Sequence, residues 1–404
     1  METFLAALSL QAGYNAALVT VGTALLGLAA GVGGTFLFLR KRALVSDAVA
    51  HATLPGICLA FIAMVSLGGD GRSLPGLLAG SAFTALLGLL AVEWMTARTR
   101  LAEDAAIGAV LSVFFGFGVV LLTVIQNLDD GRQAGLESFL LGSTAGMLFQ
   151  DAVIVAVGGA VVAGVAIVFR RPMTLVAFDA DYAAASGIDV RRTDLAMMAL
   201  ATAVTVVGLK IVGLVLVVAL LIIPPVTARF WTERADRVPV IAGALGALSG
   251  WLGAALSASA PAMPTGPIVV LIAAGLFLLA LLFAPRRGVL SRLLARQRFQ
   301  TRVHRRQGLL ALARQEPIHD PLTKRILTRE GLMRADGVPT ETGRGEAARA
   351  AHDERRWEIV RRLHQNTALS DRYDGLTPIE AVLTPDEIAE IDRNLAGPQP
   401  VGEA

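Results

Sequence analysis

Seven stretches of this chain, at about 14–39, 43–67, 75–95, 105–125, 150–169, 238–258 and 266–284, are long and mostly apolar. A helix that crosses a bilayer needs about 20 such residues. An eighth stretch, 193–227, is too long for one span and is interrupted by Gly208, Lys210 and Gly213. It predicts two short helices meeting at a turn, which brings the total to about eight or nine spans. None of the runs alternates as a barrel strand does, and helices satisfy their own backbone polar groups in lipid. The fold class predicted for the first 284 residues is therefore an all-α polytopic membrane bundle.

Charge divides the chain. Residues 1–284 carry 15 Lys and Arg and 16 Asp and Glu, while residues 285–404 carry 21 and 17. The chain as a whole is 54% hydrophobic and 17% charged, against about 25% charged in soluble proteins. That balance weighs against a soluble enzyme and excludes a disordered chain. The predicted organisation is a membrane domain, 1–284, and a charged cytoplasmic domain, 285–404. One cysteine, Cys58, excludes a disulfide framework and reads as a small buried apolar residue. The first ten residues hold Glu2 and no basic run, so they do not read as a cleaved signal peptide.

Basic residues orient a membrane protein with their excess in the cytoplasm. With Arg40, Lys41 and Arg42 inside, alternation also places Arg98, Arg100, Arg170, Arg171, Arg191, Arg192, Arg229, Arg234 and Arg237 inside, and only Arg72, Arg132 and Lys210 outside. The tail is then cytoplasmic. Gly243, Gly246, Gly250 and Gly253 recur every three or four residues, as do Gly27 and Gly31, and such faces let helices approach closely.

Charges within spans are costly and mark function. Asp47 and His51 stand four residues apart at the start of the second span, so both project from one helical face. A carboxylate oxygen and an imidazole nitrogen suit Mn²⁺, Fe²⁺ or Zn²⁺, and two ligands suit an ion in transit. Spacing alone leaves open a structural, hydrogen-bonded Asp–His pair. Pro55 and Gly56 follow one turn later and predict a bend or unwinding, with Pro224 and Pro225 doing the same in a later span; broken helices are where transporters place sites and gates. Glu93, Asp151 and Asp194 lie at span ends and read as solvated at the interface. Residues 178–187, FDADYAAASG, predict a short cytoplasmic helix ending at Gly187, suited to docking a partner. None of the three lysines, Lys41, Lys210 and Lys324, follows a glycine, so the chain has no Walker A motif and ATP hydrolysis would fall to another polypeptide.

These residues resemble a known family, the permease subunits of ABC importers for zinc, manganese and iron. The stretch 42–56, RALVSDAVAHATLPG, resembles its D-A-x-x-H-A-x-x-P-G signature; residues 99–108 resemble its second loop, and residues 178–187 its ATPase-coupling segment. Gly208 to Gly213, with Pro224 to Ala228, resembles its late paired helices. The likeness covers about residues 10–284. It implies that Asp47 and His51 contact the metal and that Asp179, Asp181, Tyr182 and Gly187 belong to the coupling element. It also implies a second permease subunit, identical or paralogous, a cytoplasmic ATPase dimer and an extracytoplasmic metal-binding protein, all at the plasma (inner) membrane and its lipid. The one departure is Ser46, where family members often carry glycine.

The tail reads as helices around residues 309–313 and 359–363, a helix start at Asp320-Pro321 and a stop at Gly331, with a hairpin or wing over 337–343. That order predicts a mostly helical, winged-helix-like domain. It faintly resembles iron-dependent repressors, without their Glu/His metal cluster; Glu358 with His352 or His364 is a candidate remnant site. By analogy the tail favours manganese or iron over zinc as the transported ion. Its arginines leave nucleic-acid binding as an alternative, ranked below a regulatory or docking role. Two other classes remain for the whole chain: an ion-coupled secondary metal transporter, and a membrane-tethered metal-responsive transcription regulator.

Overall fold

The computed structural model of the protein describes residues 2–69, 71, 73–127, 147–260, 263–285, 287–363 and 374–395. Its described contacts divide the chain into two units, residues 1–289 and 290–404.

In the first unit, after a short helix α1 (Glu2–Leu8), come α2 (Tyr14–Leu39), α3 (Val45–Ser66), α4 (Leu74–Arg98), α5 (Glu103–Gln126) and α6 (Phe149–Val168). Two short helices follow, α7 (Arg170–Phe178) and α8 (Ala180–Ala185), then α9 (Val190–Val212), α10 (Leu214–Trp231), α11 (Val238–Ala258) and α12 (Thr265–Phe283). Eight of these are long and apolar enough to cross a membrane, and α10 is a shorter apolar helix. The predicted pair within 193–227 is present, but only one break exists. Gly213, at φ +80°, separates α9 from α10, and Gly208 lies inside a 23-residue helix. A lone glycine is tolerated in a helix; the left-handed backbone at Gly213 is what ends α9.

Helix α2 is the hub, with α6, α9, α10 and α11 packed on it, while α3 lies against α4 and α5. The tightest seam joins α2 to α11 through glycines. A Cβ added to Gly246 would meet the carbonyl oxygen of Gly27, and one added to Gly31 the carbonyl oxygen of Ala242. Thr23 donates its hydroxyl to the Gly250 carbonyl at 3.1 Å across the same seam. Backbone-to-backbone approach of this kind maximises dispersion contact where no hydrophobic drive operates between helices. Val120 on α5, Val157 and Val161 on α6, and Leu278 and Leu279 on α12 are left exposed, as expected of surfaces solvated by lipid.

The prolines do not unwind their helices. Both α3, through Pro55 and Gly56, and α10, through Pro224 and Pro225, run without interruption. Neighbours hold them: Gly56 abuts the carbonyl of Gly80 and the hydroxyl of Thr84 on α4. In α10 the Leu221 carbonyl, to which Pro225 cannot donate an N–H, rests against Gly34 of α2.

The second unit is helical: α13 (Val289–Ala313), α14 (Pro321–Arg329), α15 (Glu341–Leu363) and α16 (Pro385–Leu395). Asp320 caps α14, accepting from the Thr323 N–H at 2.7 Å, and Gly331 at φ +71° follows its end. Leu309, Leu327, Leu332 and Met333 form one small core, and Trp357, Val360, Ile379 and Ile391 another. Arg356 grips Asp392 (Nε–Oδ1 2.7 Å), and that hydrogen bond holds the Asp392 carboxyl below its usual range.

The wing is not found. Among the described residues there is no strand, only a single antiparallel bridge, Met333 to Pro339, around a turn with Gly337 at φ +90°. Residues 341–343 already belong to α15. Gly331, Gly337 and Pro339 crowd the segment, so neither side has the run of β-formers that a ribbon needs. The unit is a helical domain with a tight turn. His364 and Tyr373 lie outside the described residues, and among those described no group of three or more His, Cys, Asp or Glu could hold a metal. Glu358 is exposed.

Candidate functional site: a polar pair on the third helix and the ion cluster beneath it

Asp47 and His51 occupy the first two turns of α3. Their facing atoms, Asp47 Oδ1 and His51 Nε2, are 3.5 Å apart, and both side chains are partly exposed. The other ring nitrogen of His51, Nδ1, is buried with no hydrogen-bond partner. Phe115 of α5 meets the imidazole edge-on, with centroids 5.0 Å apart. Pro55, one turn further along, has no N–H to return to the His51 carbonyl. Bonds of about 2.0–2.2 Å from imidazole nitrogen and carboxylate oxygen let donors at this separation reach one ion.

Just before α3 lies a cluster that the sequence reading missed. Arg40 makes a two-pronged bond to Asp194 on α9, at 3.0 and 3.2 Å. Arg42 reaches Glu103 at 2.8 Å on α5, Asp194 at 3.5 Å and Glu93 at 4.0 Å on α4. Arg191 approaches Glu93 at 3.8 Å. The ends of α2, α4, α5 and α9 are thereby tied to the segment that starts α3, which fixes the end carrying Asp47.

The interfacial reading of Glu93, Asp151 and Asp194 is thus corrected. The Asp194 side chain is only 8% exposed and Glu93 14%. Asp151 is buried and accepts the Leu148 N–H at 3.0 Å, closing the start of α6. Acids at span ends can find arginines at neighbouring span ends, and only three-dimensional packing says which. Removing one partner of a buried pair leaves an uncompensated charge, which costs about 3–5 kcal/mol. Asp194→Ala is therefore expected to lower the thermal unfolding midpoint of the purified protein sharply. Asp194→Asn, which keeps an acceptor for Arg40, is expected to lower it less.

The coupling-type residues gather elsewhere. Asp179 caps α8 by accepting the Tyr182 N–H at 2.9 Å. Met173, Val176 and Ala183 anchor α7 and α8 in the core of the bundle. Phe178 and Tyr182 face outward, each about 60% exposed (59% and 60%), and Asp181 is exposed as well. Gly187 ends the element at φ +81°. Of the helix-break residues, Pro55 and Gly56 share α3 with the polar pair, whereas Pro224 and Pro225 lie on α10, which touches α3.

The profile of the ABC 3 transport family matches residues 14–284. The manganese transport system membrane protein MntC of Bacillus subtilis is 42% identical over 301 residues, 74% of this chain and 68% of that protein. The zinc transport system membrane protein TroC of Treponema pallidum is 38% identical, covering 69% and 92%. The solved structure of PsaBC from Streptococcus pneumoniae in complex with Fab is similar at TM-score 0.60 and 27% identity, over 70% of this chain and 96% of that one. The chain belongs to the ABC 3 transport family, as a multi-pass membrane permease homologous to the membrane proteins of manganese and zinc transport systems.

Proposed function

We propose that this protein is the translocating subunit of an ABC importer for a divalent transition metal, manganese or iron in preference to zinc. Asp47 and His51 contact the ion in transit. The observation that carries this is the pair itself: a carboxylate and an imidazole 3.5 Å apart on one face of a membrane helix, with a buried ring nitrogen lacking a partner. The relatives named for manganese, zinc and chelated iron transport support the ion class. Asp and His together suit the intermediate first-row ions, and selection among these rests on geometry and availability. No third His, Cys, Asp or Glu joins the pair among the described residues, which suits an ion that must leave as readily as it enters. Metal accumulation by cells carrying Asp47 and His51 variants tests this directly.

ATP hydrolysis falls to a separate cytoplasmic ATPase dimer, which docks on the element from Asp179 to Gly187. An extracytoplasmic metal-binding protein delivers the ion, and a second permease completes the path in the plasma membrane. The exposed Phe178 and Tyr182 on an anchored short helix support the docking role. A β-branched residue at Gly187 would be forced into left-handed backbone, at a cost of roughly 1–2 kcal/mol. Gly187→Val is expected to leave the membrane bundle folded while the ATPase is no longer stimulated. Co-purification and ATPase assays check it, and full stimulation would place the contact elsewhere.

The tail is cytoplasmic and serves regulation or docking rather than translocation. The polar pair, the membrane spans and the coupling-type helix all lie in residues 1–289. A chain ending after Arg287 is expected to insert and to carry metal within about twofold of the full protein at low internal metal, since each unit has its own buried core. Its response to high internal metal is expected to change. Accumulation at matched membrane abundance decides the matter, and complete loss of uptake would make the tail part of the transport machinery.

A further inference from the structure

A cleft of about 910 Å³ opens at the end of the bundle where α2 and α6 finish and α11 begins. Its inner wall includes Phe36 of α2 and Ala166 of α6, both buried. Its outer lip carries Ile167, 68% exposed, and Val240, 71% exposed. Helix α6 is one of the membrane-length helices and ends at Val168, so the lip lies where hydrocarbon gives way to headgroups. Arg170 and Arg171 line the mouth, both exposed. They stand in the first turn of α7, where the helix dipole already contributes positive charge and a basic residue is unfavourable without an anion. The acid at the mouth, Asp236, pairs with Arg234 at 3.5 Å. Among the described residues neither Arg170 nor Arg171 makes an ion pair, in contrast to Arg40 and Arg42 nearby in the bundle. Thr174 adds a hydroxyl to the same lining.

We propose that this cleft binds one anionic phospholipid, its phosphate held between Arg170 and Arg171 and its acyl chains against the apolar wall. The volume falls within the range of about 300–1,000 Å³ typical of small-molecule sites, enough for a headgroup and the upper part of the chains. Basic pockets between membrane helices on the cytoplasmic side recognise such headgroups. A zwitterionic lipid brings its own cation to the two arginines and gains less. The cleft touches α7, the helix that leads into the α8 element, so an occupying lipid braces α7 from the membrane side.

The test uses the full chain purified in detergent and offered an equal mixture of phosphatidylglycerol and phosphatidylcholine, with retained lipid counted by native mass spectrometry. About 1 kcal/mol per basic residue makes the expected preference for phosphatidylglycerol roughly thirty-fold. Arg170→Ala with Arg171→Ala is expected to bring retention near parity, and Arg170→Lys with Arg171→Lys to keep most of the preference. Both positions are exposed, so an unchanged unfolding midpoint accompanies the loss. Ala163→Phe, which fills the cleft and leaves the arginines intact, is expected to lower retention of both lipids. An unchanged preference in the double alanine variant overturns the proposal. So does full lipid retention in Ala163→Phe combined with displacement by glycerol phosphate, which would mark a site for a free anion only. A Val240→Cys chain that cross-links to a second polypeptide in native membranes would show that protein covers the cleft, and would overturn it as well.

Discussion

Replacing Asp47 or His51 with alanine is expected to reduce metal accumulation to background, by roughly a hundredfold, the upper end of what loss of a group supporting a metal site costs. Each change removes one of the two donors of the proposed site, which has no third acidic, histidine or cysteine side chain among the described residues. Neither side chain is fully buried, and their mutual contact is a 3.5 Å approach rather than a tight bond. The bundle is therefore expected to keep its unfolding midpoint, its abundance and its ATPase partner. That combination separates a transport site from a structural pair. If the Asp47–His51 contact served only to brace the end of α3, its loss would lower stability and leave uptake in the surviving protein intact. Asp47→Glu, which keeps a carboxylate, is expected to retain partial uptake. Accumulation of manganese, iron and zinc in metal-limited cells, each at matched membrane abundance, reads the result and ranks the ions.

Gly246→Leu is expected to disrupt the membrane unit by about 3 kcal/mol, the upper part of the range for overpacked positions. The reason is geometric. Gly246 and Gly27 approach backbone to backbone, so even a Cβ meets a carbonyl oxygen, which cannot swing aside as a side chain can. The two helices must separate, and the neighbouring approaches at Gly31 and Gly250 are lost with them. Gly108→Leu makes the control, because nothing lies within 4 Å of a Cβ there. Its midpoint is expected to stay near that of the unchanged protein. Thermal unfolding of both variants in detergent checks the pair, and equal midpoints would show that the glycine seam is not a main support of the bundle.

Much of this architecture was legible in the sequence, because lipid imposes a simple rule on any segment that crosses it. The spans, the glycine faces and the pairing of Asp47 with His51 all follow from length and from helical spacing. The resemblance supplied the coupling role proposed for residues 178–187, which spacing alone showed only as a short helix. What local reading could not supply was distance between elements. Asp194 is an acid at the end of a polar turn, and nothing near it in the chain names Arg40 as its partner, 154 positions away. Pro55 has the chemistry of a helix breaker, but its effect depends on whether neighbours hold the helix together, and Gly80 and Thr84 do so. The wing was overread because Gly-Val-Pro-Thr turns the chain as a hairpin does; a ribbon also needs flanking strands, and here α15 starts at Glu341.

The proposed transport site rests on the imidazole of His51 binding the ion carried through the bundle. His51 is the one histidine of residues 1–284. The direct measurement is pulsed electron paramagnetic resonance of Mn²⁺ bound to the full chain in lipid nanodiscs, where a coordinated imidazole nitrogen modulates the spin echo. The nitrogen modulation is expected in the unchanged protein and lost in His51→Ala. Modulation of undiminished depth in His51→Ala would contradict it.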